Sequence, residues 1–367
     1  MRPERRARTA RLSTGALELP LSFDSSHARA ERGHPVRSKE GDVAGPSVSV
    51  IIPCFQAQAT IALQLASLSD QVDAPSFEVI LVDNDPAQRL DEAVADFLHP
   101  SAFDLRIVRA HEHQGSSYAR NVGISYARAE SLQFCDADDV VSRTWVRNGH
   151  LSTLDSLLWT GESILLTEAP FSAGLEAVRR EFDAPPPEWS APADKQTGPF
   201  PVLMAGNFGA ARSTLLELQG FDQGFAHYGD DNDLAFRSRR DGHRVPVAES
   251  VRIAYRGKWS AKQRMRRGFH DARARRRLLI VHGASSQSPV PPWPVDIARC
   301  LAATVLMPFR RSVAPFDVAM RWSHALGNAS GSLRLGWPRK APASTPGHGL
   351  SSSPTHSVDP SEGTMTA

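Results

Sequence analysis

Short β-branched runs alternate with amphipathic stretches through the middle of the chain. Residues 47–55 (SVSVIIPCF), 77–83 (FEVILVD), 105–110 (LRIVRA) and 131–135 (SLQFC) read as strands, because near-continuous Val, Ile and Leu suit a strand covered on both faces. Ile61, Leu65 and Leu68 recur at helical spacing after the first run, and helices are predicted again over 87–98 and 116–128. This alternation predicts right-handed crossovers and a single, mainly parallel sheet, an α/β Rossmann-like domain. After Val140 the rhythm loosens. Strands are expected at 163–168 and 251–255, a helix capped by Ser213, another from Asp230 to Arg240, and a long basic helix over 258–281. Six prolines between Ala184 and Pro201 predict a loop or lid rather than core.

Composition sharpens the boundaries. Residues 1–46 mix Arg, Ser, Gly and Pro without apolar periodicity, and 338–367 are rich in Ser, Pro and Thr, so both are expected to be disordered tails. Between them, 47–282 should form one domain with halves at 47–145 and 146–282, followed by a helical extension over 283–337. The net charge of +2 on 367 residues is too small to imply a nucleic-acid partner. Cys54, Cys135 and Cys300 fall at no disulfide-framework or metal-ligand spacing. No signal-like apolar run follows the Arg-rich start, and 301–309 is far short of the roughly 20 residues that span a bilayer. A cytoplasmic chain is expected.

Acids gather at the C-terminal ends of the predicted strands, where ligands bind in parallel α/β sheets. Asp83 and Asp85 follow the second strand, Asp136 and Asp138 the fourth. In the extended Asp136-Ala137-Asp138 triplet the two carboxylates share a side, and two hard oxygen donors can hold Mg²⁺ or Mn²⁺ with positions left for phosphate oxygens. Helix capping is the competing reading of each acidic cluster taken alone.

The strand ending in Pro53, the strand ending in Asp83, Gly115-x-x-x-Ala119-Arg120-Asn121-x-Gly123 and Phe134-Cys135-Asp136-Ala137-Asp138-Asp139 together resemble the nucleotide-binding half of family 2 inverting glycosyltransferases of the A-type fold. The resemblance covers about 47–145 and resumes at Gly206-Asn207-Phe208 and Gly229-Asp230-Asp231-Asn232-Asp233. It implies a metal-dependent transfer of sugar from a nucleotide diphosphate, UDP favoured, to a glycan or lipid-linked acceptor in cell-wall or surface polysaccharide synthesis. Pro53, Phe55, Asp83, Asp85, Arg120, Asn121, Asp136, Gly206 and Asn207 would bind the donor. Asp136 and Asp138 would hold Mn²⁺ or Mg²⁺, and Asp231 would be the general base. Asp230, Arg256, Lys258 and Trp259 are weaker candidates for the acceptor or diphosphate. Two departures stand out: Asp83-Asn84-Asp85-Pro86 lacks the usual glycine, and the acidic pair is Asp-Asp where Glu-Asp is commoner.

Arg and Lys crowd 258–277 around a stripe of Met265, Phe269, Ala272 and Leu279. That pattern suits a solvated charged helix, and equally a basic amphipathic helix on an anionic membrane, which would place the protein peripherally on the inner membrane face. A nucleotidyltransferase would need a Gly-rich phosphate loop after the first strand, which Pro53-Cys54-Phe55-Gln56 does not supply. A non-catalytic nucleotide-sugar-binding or membrane-associated scaffold stays as the alternative, disfavoured by Asp231.

Overall fold

The computed structural model describes residues 45–351, apart from 88–89, 99–101, 197–200, 226–227, 258–259, 288–289, 308–313 and 336–343. The chain opens β1 (Val48–Cys54), α1 (Ile61–Ser69), β2 (Phe77–Asp83), β3 (Asp104–Arg109), α2 (Ser116–Tyr126) and β4 (Ser131–Cys135). β3, β2, β1 and β4 lie side by side and parallel, with Val48 opposite both Phe77 and Ser131. Every residue of β2 is buried. Period-two alternation sends Val48, Val50 and Ile52 into one apolar layer and Ile51 into the other, where it joins Ile80 and Val82. Helix α1 covers the first layer and α2 the second.

The second half departs from the expected parallel pattern. β5 (Val140–Val141), α3 (Trp145–Asp155), β6 (Leu158–Leu166), α4 (Glu168–Ser172), α5 (Leu175–Phe182), β7 (Asn207–Ala211), α6 (Arg212–Glu217), α7 (Asp230–Arg240) and β8 (Val247–Arg256) follow. β7 runs antiparallel between β4 and β6, and β5 pairs antiparallel with β8, so the eight-stranded sheet is mixed. Stretch 87–98 holds a 3₁₀ helix at Asp91–Phe97 rather than an α-helix. Ala211, not Ser213, precedes α6. Residue 193 of the Pro-rich stretch exchanges two backbone hydrogen bonds with Val247 at the sheet edge, which ties that part of the expected lid down.

Helices α8 (Ala261–Val281), α9 (Trp293–Leu306) and α10 (Pro315–Leu335) complete the molecule. α8 starts with a capping box between Ser260 and Gln263. Part of the α8 stripe seats α10, since a Cβ on Gly327 would lie 2.2 Å from the Phe269 carbonyl and 3.1 Å from Ala272, while Met265 stays 36% exposed. Tyr255 takes up Arg267 at 2.7 Å, and the Phe225 ring takes up Arg277 at 4.3 Å. Within 283–337 the described helices are α9 and α10 with a short 3₁₀ turn at Ser285–Gln287, and α10 packs along α8.

Part of the expected C-terminal tail is folded. Residues 344–351 lie across α2 and the segment before α7: Thr345 N–H donates to Asp222 Oδ1 (2.8 Å), and Ser351 N–H to Ser125 Oγ (2.6 Å). Leu350 packs into the second apolar layer. The remaining expected tails, 1–44, 338–343 and 352–367, lie outside the described residues, as do Lys258 and Trp259.

β7 has no room for a larger residue at Gly209, whose added Cβ would stand 2.2 Å from Trp159 and 2.9 Å from the Leu132 carbonyl. Gly209→Ala should lower the unfolding free energy by about 1–3 kcal/mol through overpacking. A urea titration checks this, and an unchanged midpoint would show that β7 and Trp159 separate freely.

Candidate active site

Three parallel strands end at one cavity of about 560 Å³, lined by Pro53 at the end of β1 and Phe55 just after it, Asn84 after β2, and Asp136 and Asp138 after β4, with Gly115 and Arg256. The volume lies within the range of small-molecule sites. Phe55 is 52% exposed, an aromatic face left open at the mouth. The N-terminus of α2 enters at Gly115 and Ser116, where the helix dipole favours an anion.

Asn84 shapes this end of the cavity, and its role was not anticipated. Its side-chain amide donates to the carbonyls of Ala110 and His113, and its Oδ1 accepts from Gly115 N–H (2.8 Å), so one side chain pins the loop that leads into α2. The signal lay in the absent glycine of the Asp83-Asn84-Asp85-Pro86 segment: the polar side chain does the turn-building. Asp83 and Asp85 are both buried and stand behind that loop, outside the cavity lining. Asp83 faces His111 Nε2 (3.3 Å), and Asp85 Oδ2 is buried with no hydrogen-bond partner among the described residues.

Arg120 joins the two halves of the site. Its side chain is only 4% exposed, with one terminal nitrogen 3.0 Å from Asp136 Oδ1 and the other 3.4 Å from Asp230 Oδ2. Ser117 Oγ also donates to Asp230, at 2.9 Å. A solvated helix arginine is ruled out by this burial. Burial pushes the Asp136 carboxyl above its ordinary range, while Arg120 pulls it back.

Asp231, in the first turn of α7, accepts backbone N–H groups from Asn232 (2.7 Å) and Ala205 (3.4 Å). Burial, then the neighbouring Asp230 charge, push its pKa up to about 7, against smaller opposing effects of those amides and Arg120. The next residue, Gly206, runs against Asp136: a Cβ there would be 2.6 Å from Asp136 Oδ2. Segment 205–206 therefore touches both carboxylates, which explains the glycine. Behind them Asp233, bonded to Arg237 (2.8 Å) and His282 (2.8 Å), fastens α7 to α8, and those partners outweigh burial to hold its pKa down.

Two expected donor ligands are internal clamps instead. Asn121 is fully buried, donating to the carbonyls of Phe221 and His348 and accepting from Phe221 N–H. Asn207 is equally buried, accepting from Trp145 Nε1 and donating to the carbonyls of Glu162 and Val251. Both N–H donors of each amide are thereby spent on backbone carbonyls. Arg256 does line the cavity, stacked 4.4 Å over Phe171 and 3.3 Å from Glu168.

Asp136 and Asp138 present hard oxygen donors to the cavity, and no cluster of three His, Cys, Asp or Glu is found among the described residues. Such a pair fits a divalent cation that fills its shell with water and phosphate oxygens.

Residues 49–149 match Glycosyl transferase family 2. The chain is 24% identical over 224 residues to a chondroitin synthase of Escherichia coli, covering 53% of this chain and 32% of that protein. It is 35% identical over 95 residues to the amylovoran biosynthesis glycosyltransferase AmsB of Erwinia amylovora, covering 25% and 31%. The chain thus spans less than a third of either curated relative. Among solved structures, the mannosyltransferase PcManGT of Pyrobaculum calidifontis, in complex with GDP-Man and Mn²⁺, superposes with a TM-score of 0.53 at 20% identity, over 81% of this chain and 89% of that one.

Asn121→Ala would strand two carbonyls and one N–H in the interior, and should lower stability by about 1–3 kcal/mol. Limited proteolysis should also cut 344–351 faster. Wild-type stability and cleavage in the variant would make the clamp incidental. Residues 49–149 thus carry the match to Glycosyl transferase family 2, within a chain that has an A-type glycosyltransferase fold.

Proposed function

We propose that the protein transfers a sugar from a nucleoside-diphosphate donor to a hydroxyl of a glycan or lipid-linked acceptor, by a single inverting displacement, in polysaccharide synthesis. One observation carries the reading: buried Arg120 joins Asp136, at the cavity, to Asp230, the neighbour of Asp231. That connection supports a donor site and an acceptor base held in fixed relation. The polysaccharide-synthesis relatives support the same class of reaction.

In this reading Phe55 offers its open face to the donor base, and the α2 N-terminus and Arg256 receive the diphosphate. Asp136 and Asp138 hold Mn²⁺ or Mg²⁺, which when bound supplies charge neutralisation for the departing diphosphate. Asp231 takes the proton from the acceptor hydroxyl as its oxygen attacks the anomeric carbon on the face opposite the leaving group. A base with a pKa near 7 accepts that proton well and is still ionised in half its copies at neutral pH. Asp230, held by Arg120 and Ser117, raises Asp231 through its negative charge. UDP is the favoured carrier.

Asp231→Asn should reduce transfer by about 10²–10⁴-fold and leave donor binding intact. In the wild type, kcat/KM should rise with pH through about 7, as Asp231 loses its proton. Stability should move the other way. Because the folded pKa lies above 3.8, the native state holds the extra proton between there and about 7, and ionising Asp231 destabilises it as pH rises through that window. The Asn variant should therefore melt above the wild type near pH 8, with the gap closing near pH 4. Loss of donor binding in this variant would make Asp231 structural.

The donor site has its own test. UDP or GDP with Mn²⁺ should raise the melting temperature of the wild type, and Asp138→Ala should cancel the metal-dependent part; saturation at 100 times Kd contributes about 2.7 kcal/mol. A metal-dependent shift that persists in Asp138→Ala would remove that carboxylate from the site.

A further inference from the structure

Helix α9 turns its apolar side outward. Val295 is 45% exposed, Leu301 53%, Val305 68% and Leu306 43%, whereas Cys300 is buried. At 3.6 residues per turn these four and Ala298 and Ala302 fall within an arc of about 140°, roughly opposite Cys300. An amphipathic helix packed on a soluble domain normally shows water the reverse arrangement. Contiguous exposed apolar surface of this kind marks an interaction site.

Arg299 flanks that arc and also lines a cavity of about 270 Å³ between α8, α9 and α10. Arg275, Arg276, Arg321 and His324 share the lining with a single acid, Asp296. Asp296 Oδ2 accepts from Asn328 at 3.3 Å. Among the described residues no ion pair engages Arg276, Arg299 or Arg321, and Arg276 Nε is buried without a hydrogen-bond partner. A cavity so rich in arginine and so poor in acid is built for an anion.

We propose that α9 and this cavity dock on an anionic phospholipid bilayer, with the outward apolar side chains at the acyl boundary and a lipid phosphate among the arginines. Charge complementarity selects this occupant. An anionic phospholipid brings hydrocarbon and phosphate together, matching the two adjoining features. A second copy related by a two-fold axis would bring the same arginines toward each other. No described helix is long and apolar enough to cross a membrane, so α9 would lie in the interface plane. The docking face is α9, since α10 packs over Phe269 and Ala272 of the α8 stripe.

Vesicle flotation of the full chain tests the proposal, with phosphatidylcholine alone against phosphatidylcholine containing roughly one-third phosphatidylglycerol. The wild type should float only with the anionic vesicles. Arg299→Ser with Arg321→Ser should bind roughly 30-fold more weakly, on the scale of about 1 kcal/mol per surface arginine. Leu301→Ser with Val305→Ser should also lose binding, and all four positions are exposed, so melting temperatures should hold. Arg266→Ser, about two and a half turns of α8 from Arg275 and on the opposite face, should float like the wild type. Undiminished flotation of the double arginine variant would overturn the proposal. So would a wild type that ignores anionic vesicles, including one that light scattering shows to be a dimer dissolved by Leu301→Ser with Val305→Ser.

Discussion

A buried guanidinium shared by two carboxylates holds this site together. Arg120 sits at 4% exposure between Asp136, on the strand-end loop of the first half, and Asp230, on the first turn of α7. Burying Arg120 and Asp230 is costly unless each is paired, and removing one would leave the other uncompensated. The arrangement therefore fixes the spacing between the cavity and α7 more firmly than packing alone. Ser117 adds a neutral donor to Asp230 from the same helix as Arg120, so α2 sets the position of both acids.

The same desolvation that makes Arg120 rigid makes Asp231 expensive. Its neighbour Asp230 is satisfied, but Asp231 has only two backbone amides, and burial raises its pKa to about 7. The charges are thus unequal in role: Asp136 and Asp230 are compensated by arginine, Asp233 by Arg237 and His282, and Asp231 is left to titrate. Functional groups tend to be the ones whose environment is left incomplete.

The sequence made the donor half legible because strand, acid and burial coincide there. The β-branched runs at 48–54 and 77–83 became fully covered parallel strands, and Asp136-Ala137-Asp138 reached the cavity at the expected strand end. Asn121 and Asn207 were misread for a physical reason. A buried amide that satisfies backbone breaks in the core has the same sequence appearance as one that reads a ligand, and only its partners distinguish them. The antiparallel entry of β7 was likewise hidden, since a five-residue strand of small residues and one Phe carries no direction signal. The outward face of α9 could not be read either: its periodicity is that of an ordinary amphipathic helix, and which side meets the protein depends on where α10 lies.

The segment 344–351 carries one more implication, concerning the order in which the molecule can be completed. Its hydrogen bonds reach back about 225 positions in sequence, from Ser351 to Ser125 and from the His348 carbonyl to Asn121. Contacts of such separation carry the largest loop-closure cost and form late. During synthesis the parallel half can pair as soon as β4 has emerged, whereas the contacts of 344–351 on α2 cannot be complete until residue 351 has left the ribosome. The helix that aligns Asp136 with Asp230 is thus locked by one of the last described pieces of chain to appear, and a nascent protein would acquire its sheet well before its finished site.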